Sequence, residues 1–210
     1  PPPPPPPPRF FFHAYDGIRD PLWSRGLGDV YKRQTLSCST SNNNNKGHAN
    51  HAISDKNQNS LSPHTVAMAM IGGAHIHIDY SSPSVRNRII FGGLLAFNEV
   101  WQSGAHNATW IESDYDLIIN GKELKKGRYG LFTIPNKDEW IVIFNKNWEQ
   151  HGKDEYDERD DVLRIKIKPT VLTDLVESLQ YKVNGIDDKN GLISLSWEKI
   201  QIKIPFEVKS

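Results

Sequence analysis

In several runs after Leu61, apolar residues return at every second position, and that period commits those runs to strands. In the run 163–168, Leu163, Ile165 and Ile167 alternate with Arg164, Lys166 and Lys168. In 178–183, Leu179, Tyr181 and Val183 alternate with Ser178, Gln180 and Lys182. Successive strand side chains point to opposite faces, so each run has one dry face and one wet face. Ile193, Leu195 and Trp197 carry the pattern into Ile200, Ile202, Ile204 and Phe206. Residues 172–179 have a passing helical look, but alternation follows them at once, so they read as mostly strand.

Turn signals divide these runs. Gly72-Gly73 separates 65–71 from 74–80 as a hairpin, and Asn120-Gly121 closes another strand that begins near Asp116. Asn136-Lys137-Asp138 lies between the strands 128–135 and 139–145. Residues 91–101 show neither period and are expected as a loop or short helical turn across the mouth of the fold. Roughly eight to ten short strands at this spacing imply an all-β, antiparallel, two-sheet β-sandwich over residues 61–210.

With 210 residues the chain can build one domain with a real core. Lys+Arg and Asp+Glu stand at 25 each, so no net field draws it to nucleic acid. Its single cysteine leaves no internal disulfide framework and no Cys-rich zinc module. No apolar run reaches the roughly 18 residues of a helical membrane span.

Residues 1–34 stand apart. The opening polyproline tract cannot join a packed core. PLWSRGLGDVYKRQ (21–34) resembles translated sequencing-adapter read-through, so this segment is expected to be foreign to the native protein. Residues 35–60 follow as a tether. Cys38, preceded by Leu36 and Ser37 and followed by an Asn-rich run, is similar to the end of a bacterial lipoprotein signal. Thr35 stands where an apolar residue is commoner. Cys38 is then the expected lipidation site, and the membrane is met only through its acyl chains. The polar spacer buries too little to fold, and His48 and His51 within it read as solvated side chains.

Chemistry concentrates in 74–109. His75, His77 and Asp79 share one face of their strand, opposite Ile76, Ile78 and Tyr80. His75 and His77 could reach one divalent transition metal, with His106 and His151 as further ligands. The other reading leaves both as half-exposed residues on a wet sheet face. Trp101, Trp110, Trp140 and Trp148, with Tyr80 and Arg88, are of the types that line sugar or small-ligand clefts. Trp140 alternates with Val142 and Phe144 and reads as core, which leaves Trp101, in the irregular segment, as the better ligand candidate. Arg86 and Arg88 could instead pair with Asp114 or Asp116 and pin a loop. DEYDERDD (154–161) reads as a solvated loop, and no two carboxylates are placed by spacing for glycoside hydrolysis. There is no GxSxG elbow and no phosphate loop.

The runs WxxGAxxAT (101–109), GxYGLFTIP (127–135) and EWxxIFNK (139–146) together resemble an uncharacterised bacterial family, domain-of-unknown-function family 2911, across 61–210. The resemblance implies an exported, largely β domain of Bacteroidetes-like bacteria, without an established activity. Gln102 stands where the family usually has arginine, and His106 where relatives often carry Asn or another polar residue.

The expectation is a non-enzymatic, lipid-anchored domain of a Gram-negative cell envelope, periplasmic or at the surface. It would bind a small molecule, glycan or envelope protein through His75, His77, Asp79, Arg88, Trp101 and His106. The alternatives are a metal-dependent enzyme using His75, His77, His106 and His151, and a structural module without a ligand.

Overall fold

The computed structural model describes residues 60–209; the readings for 1–59, including Cys38, His48 and His51, lie outside the described residues. β1 (His64–Ile71) and β2 (Ala74–Ser81) form the expected hairpin. Gly72 and Gly73 close it with both φ positive, 58° and 82°, the two-residue turn whose twist matches that of the strands it joins. A Cβ at position 72 would also come to 3.0 Å from the Asp188 carbonyl oxygen.

β3 (Trp110–Ser113), β4 (Leu117–Ile119), β5 (Lys122–Leu124), β6 (Gly127–Ile134) and β7 (Trp140–Asn145) follow. A single 3-10 turn at Glu158–Asp160 precedes β8 (Asp161–Ile167), β9 (Thr170–Gly185) and β10 (Asn190–Val208). One sheet has six strands in the order β1-β2-β3-β6-β7-β8, the other four in the order β5-β4-β10-β9. All pairings between these strands are antiparallel, and the result is the expected β-sandwich. Residues 172–179 are strand, within β9.

The core lies between the sheets. Ile76, Ile78, Ile111, Leu131 and Phe144 enter it from the larger sheet, Ile119, Leu179, Ile193, Trp197 and Ile204 from the smaller. Each large side chain buried in this way contributes roughly 1.5–3 kcal/mol. β10 changes parity midway: Ile193, Leu195 and Trp197 are odd, Ile202, Ile204 and Phe206 even, yet all are buried in one cluster. Register shifts on either side of Glu198, which sits at φ 55°, make this possible. The bulge rotates the second half of the strand back toward the core.

The two sheets meet at a corner after β2. Leu179 N–H donates to Pro83 O (2.9 Å) and Val85 N–H to Glu177 O (2.7 Å), so residues 83–85 pair with β9. Residues 91–101 are turns rather than a helical segment. They lay Phe91 against Trp140 (5.0 Å) and Trp197 (6.1 Å).

A second, smaller cluster of Ala108, Phe132 and Ile143 occupies the outer face of β6 and β7, packed with Val100 and Tyr156. Next to it DEYDERDD is exposed at Asp154, Glu155, Glu158 and Arg159, as expected of a solvated loop, but Asp161 departs from that expectation. The Asp161 side chain is only 6% exposed and accepts from Asn145 Nδ2 (2.7 Å), Tyr156 Oη (2.9 Å) and Arg164 Nε (2.6 Å). A buried carboxylate has to be met by donors, and these three meet it. Burial pushes the Tyr156 phenol up to about 12. Among the described residues no helix is long and apolar enough to cross a membrane.

Candidate functional site

The segment WQSGAHNAT (101–109) closes upon itself. Trp101 Nε1 donates to Gly104 O (2.9 Å) and Thr109 Oγ1 to Ser103 O (3.0 Å). Thr109 N–H donates to Gln102 O (3.2 Å). Ser103 Oγ donates to Thr133 Oγ1 (2.9 Å), and Tyr181 Oη, from the other sheet, to Ser103 O (2.9 Å). A Cβ on Gly104 would stand 2.6 Å from Thr109 Oγ1. Trp101 is 4% exposed and stacks on Trp197 at 5.6 Å. As a ligand candidate it is therefore corrected: its indole N–H is satisfied within the loop and its ring is core.

The outer face of the larger sheet carries the polar groups. β2 buries Ile76, Ile78 and Tyr80 and leaves His75, His77 and Asp79 half-buried on the other face, as alternation predicts. Opposite Asp79 stands Trp110 of β3, and opposite His77 stands Glu112. Arg128 of β6 lies across from Glu112 and donates to it (Nη2–Oε2 2.8 Å). The Arg128 guanidinium also lies over the rings of Trp110 (4.1 Å) and Trp148 (4.5 Å), and His77 stacks on Trp110 at 5.0 Å and 11°. Cation–π contact and the ion pair together hold Arg128 in one place.

Beside this array is a cleft of about 440 Å³ lined by His64, Asp79, Ser81, Asn107, Trp110, Trp148, Gln150 and His151, among others. On one wall His64 Nε2 and Asp79 Oδ2 are 2.8 Å apart. The other wall is built by stitched loops: Gly152 N–H donates to His106 O (2.8 Å) and Ala108 N–H to Gln150 O (3.0 Å). Gln150 Nε2 donates to Asn147 O (2.7 Å), and this turn sets Trp148 against Trp110.

The candidates from sequence divide accordingly. His75, His77 and Asp79 share the face, and His151 lines the cleft that Asp79 enters. His106 is exposed at φ 60° and contributes its carbonyl, while Asn107 beside it reaches the cleft. Arg88 lies away from the site and donates to Val85 O (3.0 Å) and Ser84 O (2.7 Å). Arg86 donates to Leu61 O (2.8 Å). Both arginines thus pin loops, through carbonyls rather than through Asp114 or Asp116. Asp116 is taken by the Lys126 N–H and Lys125, which hold its carboxyl below the usual range. Among the described residues no three of His, Cys, Asp and Glu come together to hold a metal ion, so His75, His77, His106 and His151 form no common ligand set. Trp110 and Trp148 were legible as aromatic candidates. His64, Arg128 and Asn107 were not, because sequence carries no signal for which loop meets which strand.

The family model described as "Protein of unknown function (DUF2911)" matches residues 62–206. No match was found among curated proteins or among solved structures.

Proposed function

The chain belongs to this DUF2911 family, and from that premise and the geometry of the outer face we propose that the domain binds a small, hydroxyl-rich ligand of the glycan class. What supports the reading is the cleft itself: two indoles, Trp110 and Trp148, meet Asp79, Asn107 and His64 around one hollow. Aromatic rings offer flat apolar surface to the C–H faces of a sugar, and carboxylate and amide oxygens accept from its hydroxyls. Both indoles are braced by Arg128, so little side-chain freedom would be lost on binding.

In the same proposal the domain is exported and held at a bacterial envelope by acyl chains on Cys38, with residues 39–60 as spacer. Mass spectrometry of the natively produced protein reads this directly; an unmodified Cys38 would overturn the anchor and leave the cleft untouched.

The binding test is calorimetric titration with a panel of neutral, amino and acidic saccharides, run on the wild type and on Trp148→Ala. At least one saccharide class should bind the wild type and lose most of its affinity in the variant. A panel without binding, or binding indifferent to Trp148, would overturn the glycan reading.

A further inference from the structure

Met68 and Met70 are the chain's two methionines; both lie on β1, and both are exposed, 54% and 65%. Burial, the usual reason for a methionine in a strand, does not account for either of them. The β1–β2 register sets Met68 directly opposite His77 and Met70 directly opposite His75. Residues two apart on a strand return to one face, and paired residues share it. Two thioethers and two imidazoles therefore occupy the corners of one outward patch, with cross-strand Cβ atoms about 4.5–5.5 Å apart.

The imidazoles are already close. The ring centroids of His75 and His77 lie 5.9 Å apart with planes at 56°. A metal bonded to a ring nitrogen at about 2.0 Å sits roughly 3 Å from that ring's centroid, so two rings on one ion are separated by up to about 6 Å. His77 is steadied by its stacking on Trp110. The neighbouring hard donors are engaged elsewhere: Glu112 with Arg128 (2.8 Å), Asp79 with His64 (2.8 Å), and Asp114 with the His75 N–H (2.7 Å). The donors left on this face of the hairpin are two thioethers and two imidazoles.

We infer that the outer face of the β1–β2 hairpin binds a soft monovalent metal ion, Cu(I) or Ag(I), through the Met68 and Met70 sulfurs and the His75 and His77 imidazoles. Thioethers select soft ions and imidazole suits copper; Zn(II) also takes imidazole but gains little from a thioether, and Mg(II) and Ca(II) favour oxygen ligands that this patch does not supply. Four neutral ligands also suit a single positive charge. The hairpin turn fixes the arrangement, because a one-residue slip would send both methionines inward.

The test uses the untagged full chain carrying Cys38→Ser, since a free thiol would compete for the same ions. Ag(I) is titrated while the two methionine methyl signals and the histidine ring signals are followed by NMR, and Cu(I) is titrated anaerobically against a chromophoric competitor. About one equivalent should bind, moving both methyl signals and both rings together, and Met68→Leu with Met70→Leu should weaken binding by at least about tenfold. Leucine is close in volume and these positions are exposed, so unchanged circular dichroism should show that the fold is kept. Absence of uptake, uptake unchanged in the leucine variant (an adventitious ion on histidine only), or tighter binding of Zn(II) than of Ag(I) would each overturn the site.

Discussion

Trp110 and Gly130 stand directly opposite each other on β3 and β6, and the missing side chain at Gly130 is what admits the backbone that carries Trp148. A Cβ there would come to 3.1 Å from Asn147 O, 3.3 Å from Trp148 Cα and 2.7 Å from Phe132 Cε2. Gly130→Ala should therefore cost roughly 1–3 kcal/mol, as overpacking does, and shift Trp148 away from Trp110 and Arg128. Urea unfolding reads the first effect and tryptophan emission the second. A variant with wild-type stability and spectrum would show that the 147–148 turn is free to move.

Among the described residues, Trp101 and Trp148 should show two different behaviours. Trp101→Ala should destabilise by roughly 3–5 kcal/mol, the range for a large core ring. It also orphans Gly104 O and removes the stacking on Trp197. Trp148→Ala, at the cleft, should cost much less stability and act on ligand affinity instead. Equal losses in thermal unfolding for the two variants would contradict this division.

Alkali should unfold the domain through its phenols. Burial raises the Tyr181 phenol far above its ordinary range and pushes Tyr156 up to about 12. In the unfolded chain both ionise near pH 10. A folded pKa raised above the unfolded one gives stability that is complete below the unfolded value and lost as pH rises through it toward the folded value. Stability should thus hold up to about pH 9 and fall from about pH 10 upward. Tyr181→Phe, which removes the group and its bond to Ser103 O, should be about 0.5–1.5 kcal/mol less stable at neutral pH with a shallower alkaline decline. A decline as steep as that of the wild type would acquit Tyr181.

How much of this was visible beforehand follows from the range of each interaction. Alternation is local, so the longer strands, the Gly72-Gly73 turn and the His75–His77–Asp79 face could be read directly, whereas β3 and β5, of four and three residues, are too short to show it. Trp101 was misread because it ends the irregular run 91–101, where neither period reports burial, and its partner, Gly104 O, lies just beyond that run. Asp161 was misread because its donors come from Asn145 and Tyr156, which composition alone cannot bring near. The cleft depends on loops 106–107 and 148–151 meeting across β3 and β6, a long-range pairing with no local trace. The methionine–histidine pairing was latent in the hairpin register, once Gly72-Gly73 is taken as a two-residue turn.

The parity change in β10 offers the sharpest test of the fold. Trp197 and Ile202 are five residues apart, an odd interval, yet both are buried in the same core. Only the bulge at Glu198, with φ 55°, reconciles them. Deleting Glu198 would leave Trp197 and Ile202 four residues apart, so strict alternation alone would keep Ile200, Ile202, Ile204 and Phe206 on the face that Trp197 occupies. These four large apolar side chains, worth roughly 1.5–3 kcal/mol each against a typical total stability of about 5–15 kcal/mol, would then stay in the core. The deletion variant should therefore still unfold cooperatively. Glu198→Gly relieves a left-handed conformation that glycine adopts freely, at the loss of the contact from Ile90 N–H to Glu198 Oε1 (3.3 Å), and should stay folded. Circular dichroism melts of the two variants side by side decide it: loss of the cooperative transition in the deletion variant would mean that β10 needs the bulge for more than reconciling the parity of its two halves.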